Sequence, residues 1–160
     1  MKFQYRVTKY NPQYRDERSG GYLLDEWTSI CDIGKVFNGE VVTKEEYDFV
    51  EDAYVKSVLS FMDDMDIQAL KLISLENTRN YKDDRLTIED NKFYNKAEIE
   101  ILTRLILRGE IWTKLIHDNM FVHFGYDYYM YIGVNKMPSE ALDISAGLGL
   151  FPENFSSPYN

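Results

Sequence analysis

A chain of 160 residues is long enough to bury a core of its own. Its single cysteine, Cys31, excludes an internal disulfide and any multi-cysteine metal site. A formal charge of −9 sets the chain against nucleic acid and anionic membrane surfaces and favours a basic protein partner. No apolar run reaches the roughly 18 residues of a membrane span. Met1-Lys2-Phe3-Gln4-Tyr5-Arg6 has charge where a signal peptide needs an apolar stretch, so the cytoplasm is the expected location.

Taken in chain order, residues 2–10 alternate, with Phe3, Tyr5 and Val7 against Gln4, Arg6 and Thr8, and read as a strand with one wet face. Asn11 to Gly21 is a connection marked by Pro12, Gly20 and Gly21. A second strand is expected from Trp27 to Ile33, with a turn at Asn38-Gly39. Thr43 and Glu46 have capping-box spacing, and Tyr47, Val50, Tyr54, Val58, Phe61 or Met62, and Met65 recur at helical spacing. Together they predict an amphipathic helix from about Lys44 to Asp63. Residues 69–76 read as a central strand and residues 86–90 as a short edge strand. A second cap at Asn95 to Glu98 opens a helix that stops at Gly109.

Three further strands follow, over Ile111–Ile116, Phe121–Phe124 and Tyr128–Val134. The tight breaks between them require antiparallel neighbours. A short helix is expected after Pro138, ending near Gly147 or Gly149, and Glu153 to Asn160 is expected to pack loosely. Strands grouped at both ends with helices between them define an α+β class. The expected architecture is one domain over 1–160, an antiparallel sheet with two main helices on one face and a C-terminal β-meander. The other face is expected to be open.

No residue pattern here carries a known chemistry. His117, His123 and Cys31 are the candidates for a nucleophile or a proton relay near neutral pH, and a Cys31–His123–Asp127 arrangement is conceivable in three dimensions. An isolated histidine in a strand is more often half-buried and hydrogen-bonded, so no catalytic residue is assigned and the chain is read as a non-enzyme. The acid runs Asp63-Asp64-Met65-Asp66, Asp83-Asp84 and Glu89-Asp90 lack the alternation and glycine of a calcium loop. Gly147-Leu148-Gly149 lacks the third glycine of a dinucleotide fingerprint, so no metal or cofactor is expected.

The most unusual segment is Gly125-Tyr126-Asp127-Tyr128-Tyr129-Met130-Tyr131. In a strand, Tyr129 and Tyr131 share one face while Tyr128 and Met130 share the other. An exposed face of this kind would make a binding platform, and a buried one would be core.

The segments DEWTSICDIGKVF (25–37), HDNMFVHFGYDYYMYIG (117–133) and GLFPENFSSPY (149–159) resemble a family of small bacterial immunity proteins from polymorphic and contact-dependent growth-inhibition systems. The resemblance runs along nearly the whole chain. It implies a cytoplasmic antidote that binds a cognate protein toxin, such as a basic nuclease, and needs no active site of its own. The charge of −9 is compatible with an acidic, aromatic-flanked surface that occludes such a toxin. Two candidate patches follow: Glu45, Asp48 and Asp52, which point away from the first helix's apolar stripe, and Tyr126 with Asp127 at the sheet turn. The alternatives are an interaction or regulatory module with some other partner, or a small enzyme using Cys31 or His123. Oligomeric state stays open.

Overall fold

The computed structural model describes residues 1–159. In chain order its elements are β1 (Phe3–Thr8), the short pair β2 (Val36–Phe37) and β3 (Glu40–Val41), α1 (Lys44–Asp64), β4 (Ala69–Glu76), β5 (Phe93–Asn95), α2 (Lys96–Leu107), β6 (Trp112–His117), β7 (Met120–Phe124), β8 (Met130–Val134), α3 (Ala141–Gly147) and β9 (Phe151–Asn154). β2 and β3 form a hairpin of their own on the Asn38-Gly39 turn. The other seven strands make one sheet in the order β5-β4-β6-β7-β8-β1-β9. Every neighbouring pair in it is antiparallel. The fold is therefore α+β, with β6, β7 and β8 as the expected meander.

Register sorts the side chains onto two faces. Leu72, Leu115, Val122, Ile132 and Tyr5 are aligned across five strands and all are buried. They join the buried stripes of α1 and α2 in one core. On the opposite face Arg6, Tyr131 and His123 form one row, and Gly133, Phe121 and Ile116 form the next.

Each helix begins where a side chain replaces the missing backbone acceptor. Thr43 accepts from the Glu46 amide, as its spacing predicts. Tyr47, Tyr54, Val58, Phe61 and Met62 are then fully buried, and Val50 and Met65 are half-buried. Asn95 and Glu98 complete a reciprocal capping box, and Gly109 ends α2 at a φ of +74°, where a side chain would be strained. Asn95→Ala is expected to lower stability by about 1 kcal/mol, and Asn95→Gly by only a few tenths, in urea unfolding. Equal losses would mean that the side-chain cap contributes nothing. The N-terminus of α3 is capped from a distance. Asp64 accepts from the Ser139 hydroxyl and from the Glu140 and Ala141 amides. The acid run at 63–66 therefore has a structural task there.

Three expectations are corrected. The stretch from Trp27 to Ile33 is not a strand but holds a 3-10 turn at Ile30–Asp32. Ser29 accepts from the Cys31 amide and Asp32 from the Thr28 amide, and these local bonds compete with ladder pairing. Residues 86–90 form only a bridge between Asp83 and Leu86. The edge strand is instead Phe93–Asn95, because the Tyr94 hydroxyl ties down Thr87 and Glu89.

The third correction concerns the closing stretch. Residues 151–154 pair with β1, and residues 155–159 cross the face expected to be open. Phe155 and Tyr159 pack on Tyr131, Ser157 bonds His123, and Lys114 Nζ donates to the Tyr159 carbonyl. Asn160, which shared the expectation of loose packing, lies outside the described residues.

Candidate functional site

The β7–β8 connection is built against backbone preference. Asp127 and Tyr128 have φ of +57° and +68° in succession, a region that costs a bulky L-residue about 1–2 kcal/mol. Core hydroxyls hold it there. Tyr10 donates to the Asp127 carbonyl and Tyr54 to the Tyr128 carbonyl, each at 2.6 Å. The Tyr54 hydroxyl is itself fixed by the Lys9 amide at 2.9 Å. The Tyr128 ring is buried in edge contacts with Trp27, Tyr47 and Tyr54. The Tyr126 carbonyl accepts from the Tyr129 amide at 3.1 Å, while its side chain takes no part in this and stands 89% exposed. Burial pushes the Tyr54 and Tyr128 hydroxyls well above their ordinary pKa, so both stay protonated as hydrogen-bonding groups.

A polar network lies beneath the loop. The Tyr128 hydroxyl meets that of Tyr47, which donates to Glu51, an α1 carboxylate with no exposed surface. Arg108 clamps Glu51 through Nε at 2.8 Å and Nη2 at 2.7 Å, and Arg104 adds a bond at 3.0 Å. Burial pushes the Glu51 pKa up, but the bonds from Arg108, Tyr47 and Arg104 outweigh it and leave it below the usual value.

Beside the loop and Arg108 opens a cleft of about 590 Å³ at one end of the sheet. Trp112, Tyr126, Tyr128 and Tyr159 give it aromatic walls, and the carbonyl end of α2 closes one side. The Trp112 indole is pinned across the strands by its bond to the Phe124 carbonyl at 2.7 Å. A Cβ at Gly125 would stand 2.8 Å from the Tyr159 hydroxyl, so any larger residue there would displace the tip of that side chain.

Of the candidate residues, Tyr126 and Asp127 come together at this cleft. Glu45 is exposed without an ion-pair partner among the described residues, whereas Asp48 is paired with Lys44 and Asp52 with Arg104. The helix patch is therefore less negative than its sequence implies. Cys31 lies exposed in the 3-10 turn. His123 lies on the second sheet face, 4% exposed, stacked on Phe121 at 4.1 Å and bonded to Ser157 at 2.8 Å. Neither lines the cleft that Asp127 borders. His117 accepts from the Asn119 amide in the β6–β7 hairpin.

Of the two readings of the tyrosine-rich strand, a binding platform or core, it is core that the structure shows. Met130, Ile132 and Tyr131 are all buried and Tyr129 is half-buried, so both faces of β8 are packed and Tyr126 is the exposed tyrosine of the segment. Sequence reasoning missed Glu51, Arg108, Trp112 and Tyr159. For Glu51 a signal existed, since it falls on the apolar stripe between Tyr47 and Tyr54. The others are assembled only by tertiary packing.

Among the described residues no group of three or more His, Cys, Asp or Glu side chains could hold a metal ion, and no helix is long and apolar enough to cross a membrane. Comparisons with protein-family models, with curated proteins and with solved structures return no match.

Proposed function

We propose that the protein is an immunity-type inhibitor that binds a cognate toxin domain and neutralises it by occlusion, with the Tyr126–Asp127 loop at the centre of the contact. The observation that carries this is the loop itself. Two consecutive residues are held in a strained conformation by buried hydroxyls, and the product is a rigid loop with a fully presented tyrosine. Rigid aromatic anchors lose little entropy on binding and dominate protein interfaces. The acidic balance favours a basic toxin, such as a nuclease with a phosphate-binding cleft, through steering of the encounter. The helix patch around Glu45, Asp48 and Asp52 takes the part of a rim that affects on-rate more than affinity.

Co-expression with the product of the adjacent upstream reading frame should give a one-to-one complex, and that product should be toxic only when this protein is absent. Tyr126→Ala should weaken the complex by about 2 kcal/mol, roughly thirty-fold in Kd, with the folded state unchanged. A complex that is indifferent to Tyr126 would remove the loop from the interface. Absence of both complex and toxicity would leave an interaction module with another partner.

A further inference from the structure

We infer that the cleft beside the Tyr126 loop is a socket for one lysine or arginine side chain of the bound partner, which rests on the reading that the protein binds a basic protein. Three carboxylates line the cleft, Glu76, Glu110 and Asp127, and none of them is in an ion pair among the described residues. Of the two guanidiniums at its edge, that of Arg108 is already matched by the buried carboxylate of Glu51 through two bonds. Arg79 is exposed and makes no ion pair among the described residues. The local balance is negative even with Arg79 counted.

The carbonyl end of α2 adds the negative pole of a three-turn helix on one side. Trp112, Tyr126 and Tyr159 line the cleft, and aromatic rings attract cations most strongly where water is partly excluded. A long aliphatic stem can lie along these rings while its charged head reaches the acids. A volume near 590 Å³ accommodates one such side chain with its flanking backbone. An acidic side chain would meet three carboxylates, and an apolar one would leave them unpaired.

The test needs no toxin. N-acetyl-arginine amide titrated into the intact protein should produce saturable shifts in the Trp112 indole N–H and the Gly125–Asp127 amide resonances at millimolar concentration. The isosteric citrulline compound should produce none. Glu76→Gln, Glu110→Gln and Asp127→Asn combined should weaken probe binding about tenfold, and Arg79→Ala should strengthen it two- to threefold, by roughly the energy of partly exposed charge pairs. Among the described residues no side-chain hydrogen bond runs through those three carboxylates, so the folded state should survive.

Shifts elsewhere only, equal shifts with citrulline, or binding unaffected by the triple variant would overturn the socket. A probe-binding cleft in a protein that has no toxin partner would retain the socket and discard the antidote reading. A toxin complex with a cleft that ignores the probe would do the reverse.

Discussion

Glu51→Ala is expected to cost about 3 kcal/mol of folding stability, more than any single cap or surface ion pair. Glu51 is fully buried and accepts from Tyr47, Arg104 and Arg108. Removing it takes the carboxylate from Arg108, leaves Arg104 with Asp52 and Glu100 and the Tyr47 hydroxyl with Tyr128, and an unmatched, partly buried charge is the expensive outcome. The loss falls toward the lower end of the usual range because the Arg104 and Arg108 side chains are 25% and 38% exposed and can rehydrate.

Glu51→Gln, which keeps the shape and some acceptors, should cost less. Combining Glu51→Leu with Arg104→Leu and Arg108→Leu should recover a large part of the loss, since an apolar replacement of an ion network is often neutral. Urea unfolding of the four proteins measures this. A loss below about 1 kcal/mol for Glu51→Ala would mean that the network is solvated in solution and contributes little. Because Tyr47 links Glu51 to Tyr128, the alanine variant should also loosen the loop, seen as faster amide exchange at Asp127 and Tyr128.

Lowering the pH from 7.5 to 4.5 is expected to remove about 2–3 kcal/mol of stability through His123 alone. Burial holds this imidazole at a pKa of about 4, and the nearby Lys114 ammonium acts in the same direction. The unfolded chain takes up the proton near pH 6.5. The neutral ring therefore contributes stability that is complete above the unfolded value and is lost as the pH falls toward about 4.

Over this window the lowered carboxylates Glu51, Asp64 and Asp32 remain largely ionised in the folded chain, so they add most of their own loss at still lower pH. His123→Asn keeps a polar partner for Ser157 and lacks the titration. Its stability should be nearly flat from pH 7.5 to 4.5, whatever its absolute value. A parallel decline in both proteins would assign the acid sensitivity elsewhere. The position is well suited to the measurement. The ring is stacked on Phe121, whose own ring covers Gly133 so closely that a Cβ there would lie 2.3 Å from it.

The elements legible in the sequence were those whose signals are local. Thr43, Asn95, Glu98 and Gly109 mark helix boundaries through bonds that span three or four residues. Those boundaries agree with the structure to within a residue or so. The three-strand meander was legible for the same reason, since its breaks are short enough to dictate which strands pair. Trp27 to Ile33 was misread because β-prone residues there are diverted by Ser29 and Asp32, whose side chains satisfy the backbone before a partner strand can.

Of the site, Tyr126 and Asp127 were visible as an aromatic-acidic turn. What makes them a site came from distant positions: the hydroxyls of Tyr10 and Tyr54, the Glu51–Arg108 clamp and the Tyr159 wall. The sequence by itself determined the α+β class, the helices and the meander, because helix caps and hairpin turns are short-range and their energies are settled within a few residues. The tertiary structure alone decided that β9 joins β1, that residues 155–159 cover the second face of the sheet, and that a strained loop stands over an acidic, aromatic cleft. Contacts between positions from 34 to 117 residues apart leave no periodic trace in the chain. Their partners are selected by the shape and charge of surfaces that exist only once the core has formed.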